Sequence, residues 1–317
     1  MSLEGNKVLV TGGAGFLGSH LVELLLEKNA DVFVTDIAST NLSNLKNVKD
    51  KIKFIPCDIS NSNNVKNLPS EIDVIFHLAA IADPRLCESN HELAFMVNVQ
   101  GTFNAINYAM KCNVKKFIFP SAASLYGKYP KYIPIDENHP IDPADSVYLT
   151  TKRFGEILCD MFYQKHGLPV IYFRLFNTFG ERQGPGFLVP TVILDGIKKG
   201  SIELWNDKPV RDFSYVKDIV DGLVKGIETK FCGGPINLGS GREISVGETV
   251  EMIRKAMEEE GIHTNVKYLN KEIWGPMRLL CDNTKAKRLL KWEPNFGVEE
   301  GIKKTVTWYI ENKSLFE

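Results

Sequence analysis

The chain has 317 residues, 44% hydrophobic and 24% charged, enough for two joined domains or for one large domain with an appended lobe. Its net charge of -1 and pI of about 6.6 give no electrostatic reason to bind nucleic acid. Its six cysteines are scattered and form no CxxC pair, which argues against a zinc site and a disulfide framework and fits a reducing compartment. The start of the chain shows no basic-then-apolar leader, and no apolar run approaches the ~18 residues of a membrane span. A cytoplasmic protein with no membrane partner and no bound metal is therefore expected.

In chain order, the first half alternates short apolar runs with amphipathic stretches. Strands are predicted at Lys7–Thr11, Asp31–Asp36, 52–56, 74–78 and 116–120. Helices are predicted over 19–28 and 92–111, and a further helix follows a polar, proline-rich loop at 127–145, spanning 147–165. The strand at 169–175 is expected to close the sheet. Continuous apolar strands separated by helices require a parallel sheet covered on both faces, so the predicted fold is α/β, doubly wound. Glycine and proline punctuation from 180 onward suggests a smaller C-terminal substrate-binding lobe. The expected division is 1–178 and 179–317, with 213–240 packing back on the first unit.

The segment Thr11-Gly12-Gly13-Ala14-Gly15-Phe16-Leu17-Gly18 lies between the first strand and the first helix. Glycines there let the backbone turn sharply and approach a pyrophosphate at a helix N-terminus, where free N–H groups point outward. Asp36 ends the second strand, 18 residues after Gly18. A carboxylate in that place accepts hydrogen bonds from an adenosine ribose and repels the extra phosphate of NADP, which points to NAD. Asp58 and Ile59 end the third strand, within reach of an adenine. Leu78, Ala79 and Ala80 end the fourth, where small residues admit the dinucleotide. His77 before them reads as a packed histidine rather than a catalyst.

Tyr148 and Lys152 stand at i, i+4 and share one helix face. A free tyrosine is a poor base at neutral pH, but an adjacent ammonium and the charge of an oxidised nicotinamide would stabilise the phenolate. Such a group could take a proton from a sugar hydroxyl as hydride leaves.

Together these residues resemble the extended short-chain dehydrogenase/reductase family, specifically its nucleotide-sugar epimerases and dehydratases, of the UDP-glucose 4-epimerase kind. The shared wording runs along almost the whole chain: TGGAGFLGSHL (11–21), HLAA (77–80), NVQGTFN (98–104), SLYG (124–127), YLTTK (148–152), RLFNTFG (174–180), RDFSYVKDIV (211–220), INLGSG (236–241) and KAKRLLKWEP (285–294). The resemblance implies Tyr148 as base and Lys152 on the nicotinamide ribose. It assigns Gly12, Gly15, Phe16, Leu17, Asp36 and Asn98 to the cofactor. It also implies Asn177 and Arg211 on a substrate diphosphate, Leu188 and Val189 beside its base, uridine as that base, and a homodimer built from the helices at 92–111 and 147–165.

Three departures stand out. The family serine or threonine four residues before the tyrosine of the SLYG segment is here Ala122, flanked by Ser121 and Ser124, which leaves either to offer a hydroxyl. The Asp-Glu pair of the 4,6-dehydratases is replaced by Ala123 and Ser124, which lowers dehydration. The usual Arg-x-Gly-Asp stretch is replaced by residues 271–278, leaving Lys271 or Arg278 to serve. The leading reading is an NAD-dependent nucleotide-sugar 4-epimerase. The alternatives are a 4-dehydrogenase or 4,6-dehydratase of a sugar nucleotide, or a weakened NAD-binding sensor or scaffold.

Overall fold

A computed structural model of the chain describes residues 3–142, 145–271 and 275–316. Seven strands form one all-parallel sheet: β1 (Lys7–Thr11), β2 (Asp31–Asp36), β3 (Lys53–Pro56), β4 (Val74–His77), β5 (Lys116–Ala122), β6 (Val170–Leu175) and β7 (Pro235–Leu238). Their spatial order is β3-β2-β1-β4-β5-β6-β7. The inner strands β4 and β5 are buried along their whole length, as a sheet covered on both faces demands. This bears out the doubly wound α/β reading.

The order reverses between β1 and β4, and in such sheets the crevice at that switch point, outside the carboxyl ends of the strands, is where ligands lie. Helix α1 (Phe16–Glu27) begins directly after β1. Helices α2 (Gly101–Cys112) and α3 (Val147–His166) pack together on one face. The expected single helix over 92–111 is broken. His91–Phe95 passes through a π-helical turn at Met96–Gln100 before α2 begins. Periodicity alone does not reveal such a turn, because one extra residue shifts the apolar stripe without removing it.

The second half adds α4 (Leu188–Lys199), α5 (Val216–Glu228), α6 (Val246–Glu259) and α7 (Val298–Glu311). Ser201–Leu204 pairs in parallel with Asn265–Tyr268, and Val210–Arg211 runs antiparallel to Ile244–Ser245. Helix α6 starts with a reciprocal cap, the Ser245 side chain on the Glu248 N–H and the Glu248 carboxylate on the Ser245 N–H. The expectation that β6 closes the sheet is corrected: β7 lies outside it, and α5 packs on α1. The chain leaves the sheet after β6, forms α4, the strands at 201–204 and 210–211 and α5, and returns at β7. No described helix is long and apolar enough to cross a membrane.

Candidate active site

Gly12 has φ +68, and a Cβ there would lie 2.7 Å from the Ala79 nitrogen. The loop after β1 therefore touches the end of β4, and only glycine fits both the backbone and the gap. A Cβ on Gly18 would collide with the Gly12 carbonyl, so α1 also sits directly on the loop. Gly15 is the N-cap residue of α1 and carries no side chain over its free N–H groups. Phe16 and Leu17 open the helix and pack partly buried against the core. The result is a backbone cradle aimed at an anion, with the helix dipole behind it.

Thr11 locks the cradle to β4, a role the sequence reading missed. Its hydroxyl meets His77 Nδ1 at 2.8 Å and accepts the Ala79 N–H at 3.2 Å. His77 is buried, and its Nε2 lies 3.0 Å from the Thr102 hydroxyl. Burial lowers its pKa to about 3, with the Lys152 charge acting in the same direction, so the ring is neutral. It is a packed, hydrogen-bonded histidine, as expected.

Asp36 closes the far side of the cradle. One carboxylate oxygen accepts the Ala14 N–H at 3.2 Å and the other the Ile37 N–H at 2.9 Å. Burial raises its pKa, while these two N–H bonds pull it down. Each oxygen keeps lone-pair capacity for ribose hydroxyls. Asp58 is exposed after β3, its Oδ1 holding the Ser60 N–H and hydroxyl, and Ile59 is buried against Gly101. Leu78, Ala79 and Ala80 are half-buried in the crevice. Asn98 lies on the π-helical turn, where it fixes both sides of the Ile81 peptide, at 2.8 and 3.1 Å, and donates to the Thr151 hydroxyl at 3.0 Å. It thus ties the segment after β4 to α3, one residue from Lys152.

Ser146 caps α3 by accepting the Leu149 N–H, which sets Tyr148 in the first turn. Lys152 points down to the sheet, where its ammonium donates to the Pro120 carbonyl at 2.9 Å and lies 5.1 Å from the centre of the Phe119 ring. Burial lowers its pKa to about 8, against opposing contributions from Cys87, Glu156 and Cys159. Burial raises the Tyr148 phenol above its ordinary value. Cys87 acts in the same direction, so the expected lowering by Lys152 and an oxidised nicotinamide together is not met by the chain alone.

The segment after β5 separates the two serines. Strand β5 runs through Ser121 to Ala122, two residues beyond the expected end. Ser121 is buried and donates to Glu156 Oε1 at 2.7 Å, so its hydroxyl is committed to the interior and does not replace the missing one. Ala122 ends the strand and is buried. A 3₁₀ turn at Ala123–Tyr126 follows, and within it Ser124 is exposed while Ala123, Leu125 and Tyr126 are buried.

Asn177 is exposed beyond β6, its N–H bonded to the Asp212 carbonyl. Among the described residues Arg211 donates to the Val210 carbonyl, at 3.0 Å, and no carboxylate pairs with it. Burial lowers its pKa to about 10, and no carboxylate among the described residues offsets that. Arg278 neighbours Val210 across an isolated bridge but holds Glu243 through two bonds of 2.7 and 2.9 Å. Lys271 lies over the Trp205 ring, and the rest of the expected substitute, 272–274, is outside the described residues. Val189 is a buried core residue, with Leu188 partly buried beside it at the start of α4.

Comparison with known proteins agrees with this geometry. Residues 8–239 match the model of the NAD dependent epimerase/dehydratase family. The chain is 32% identical to a putative UDP-glucose 4-epimerase of Methanocaldococcus jannaschii, over 96% of this chain and 99% of that protein. It is 31% identical to a UDP-N-acetyl-alpha-D-glucosaminuronate decarboxylase of Bacillus cytotoxicus, over 96% and 98%. Among solved structures it resembles a Bacillus cereus UDP-glucuronic acid 4-epimerase variant in complex with UDP-4-deoxy-4-fluoro-glucuronic acid and NAD. The TM-score is 0.87 at 28% identity, covering 96% of this chain and 99% of that one. The cradle of Gly12, Gly15 and Gly18 and the Asp36 carboxylate fit that cofactor, which is NAD. This chain belongs to the NAD-dependent epimerase/dehydratase family of enzymes.

Proposed function

We propose that the protein is an NAD-dependent nucleotide-sugar 4-epimerase acting through a transient 4-keto sugar. The observation that carries this reading is the turn at Ala123–Tyr126, which packs against the helix of Tyr148 and Lys152 and whose one exposed side chain is a hydroxyl. A dehydratase needs an acid and a base in that turn, and Ala123 and Ser124 are neither at neutral pH. Epimerisation at C4 needs only a base, the cofactor and room for the keto sugar to turn.

Gly12, Gly15, Phe16, Leu17, Asp36 and Asn98 would hold the dinucleotide, with Asp58, Ile59, Leu78, Ala79 and Ala80 along its length. When bound, NAD supplies reversible hydride acceptance and a positive charge beside the tyrosine. Tyr148 then ionises and takes the sugar hydroxyl proton. Lys152 keeps its ammonium under the phenolate and on the nicotinamide ribose. Ser124 donates the hydrogen bond that the family places four residues before the tyrosine, at the position of Ala122. Arg211 and Asn177 bind the diphosphate of the nucleotide, with Arg278 exchanging Glu243 for phosphate and Leu188 beside the base.

Leu93, Phe95, Met96, Phe103, Phe154, Ile157 and Tyr163 are exposed on the helices of one face, an apolar surface that supports a homodimer. Incubation with a panel of UDP-, GDP-, CDP- and dTDP-sugars, followed by mass and stereochemical analysis, tests the activity. An equal-mass C4 epimer is the expected product. Loss of water means dehydratase, loss of two hydrogens means dehydrogenase, and no product from any sugar leaves a binding protein.

A further inference from the structure

Glu156 is fully buried four residues after Lys152 and eight after Tyr148, and so lies along the same side of α3. Its carboxylate accepts from Arg174 Nε at 2.9 Å and Nη2 at 2.8 Å, from Ser121 at 2.7 Å and from Arg153 at 2.9 Å. Arg174, on β6, also donates from Nη1 to the Tyr126 hydroxyl at 3.1 Å and lies 4.9 Å from that ring's centre. Tyr126 in turn donates to the Asn237 side chain on β7 at 2.7 Å. A single buried network therefore reaches from the helix of Tyr148 to the short turn of Ser124. It touches β5, β6 and β7 on the way.

Such a network is an inefficient way to gain stability. Desolvating a carboxylate and a guanidinium costs several kcal/mol per ion, and apolar side chains of the same volume often do as well. What it supplies is geometry: a bidentate pair fixes distance and angle together. Ser124 and Tyr148 come from separate elements with a long loop between them, and reacting groups tolerate little displacement.

We propose that Glu156, acting through Arg174 and Tyr126, is a positioning residue that sets Ser124 and the Tyr148–Lys152 pair at their working separation. The inference rests on the reading of those three residues given above. Glu156 has a second effect on the same pair. Burial is the largest influence on Lys152 and opposes its ammonium; His77 on β4 is neutral, and Cys87 from the helix at Pro84–Ser89 and Glu156 and Cys159 from α3 itself favour the ammonium. Neutralising Glu156 therefore lets Lys152 lose its proton at lower pH.

The test uses Glu156→Gln in the full-length holoenzyme with whichever panel sugar the wild type converts. The expected result is a kcat lower by about 10- to 100-fold with KM little changed, and an alkaline limb of the kcat profile moved to lower pH. Wild-type kcat, or a fall in kcat that leaves the limb in place, overturns the proposal. If Glu156→Gln does not fold, the double variant Glu156→Gln/Arg174→Met removes both charges. It should fold with KM and NAD affinity near wild type and kcat down by about tenfold or more, and a kcat within about twofold of wild type overturns the proposal. If the wild type converts no sugar nucleotide, the functional reading fails on its own, and NAD binding decides instead. Glu156→Gln should then lose NAD affinity at a lower pH than wild type, and identical pH dependence overturns the positioning role.

Discussion

Arg211 and Asp212 are neighbours in sequence, yet they do not pair. The Asp212 carboxylate is buried and takes the N–H groups of Ser240, Gly241 and Cys281 at 2.7, 2.9 and 3.1 Å and the Ser240 hydroxyl at 2.6 Å. Strand alternation sends successive side chains to opposite sides. Asp212 ties its segment to residues 240, 241 and 281, and Arg211 is left, among the described residues, without a carboxylate.

Arg211→Met should separate binding from stability. Affinity for UDP should fall by roughly 10- to 100-fold, the value of a hydrogen bond to a charged group. Thermal stability should hold or rise, because an uncompensated buried charge is removed. Calorimetric titration with UDP and a melting curve check both parts. A large drop in Tm would show that the guanidinium has a structural anion.

Gly18→Ala should abolish NAD binding in proportion to the clash with the Gly12 carbonyl. The helix must move away from the loop, costing about 1–3 kcal/mol of stability and carrying the N–H cradle with it. Fluorescence titration with NAD is expected to show a loss well beyond tenfold. Unchanged affinity would mean that the loop relaxes without cost.

Tyr148→Phe should lower kcat by about 10²- to 10⁴-fold, as for loss of a general base, with KM nearly constant. Since burial raises the phenol in the chain alone, tyrosinate absorbance should appear only when NAD is added. The same absorbance without NAD would show that Lys152 suffices.

His77 makes a pH prediction. Its folded pKa is about 3 and its ordinary value 6.5. Between those values the unfolded chain binds a proton that the folded one refuses, so stability falls as pH drops below 6.5. The slope is about 1.4 kcal/mol per unit from this group. His77→Gln should melt with a flatter dependence between pH 6.5 and 4.5. Parallel slopes would assign the acid sensitivity elsewhere.

Phe154→Asp should convert the protein to monomers in sedimentation or size-exclusion measurements, since Phe154 is exposed and its ring packs 6.1 Å from that of Phe95. A wild type that is monomeric at micromolar concentration removes the proposed dimer.

The sheet and cradle were legible in the sequence because each depends on local rules: apolar runs of strand length, glycines where a backbone must approach, and an acid at a strand end. Ser121 and Ser124 were not distinguishable in that way. Which of them is exposed depends on where β5 stops, and the strand runs on to Ala122. Glu156 and Arg174 stayed hidden for another reason. Neither spacing nor local pattern pairs them, since one lies on a helix and the other on a strand 18 residues later, and only the fold brings them together. The strand at 235–238 escaped as a strand because it follows a long excursion, and only its general region was expected to return.

That excursion has a consequence for how the molecule can be cut or made. A fragment ending near residue 178 lacks β7, which leaves the backbone groups of β6 open as a template for another chain. On the ribosome the same edge waits until residues 235–238 emerge, after part of the lobe has been synthesised. The two halves are therefore poor candidates for separate expression. A circular permutation is better placed between elements of the lobe than at the apparent boundary.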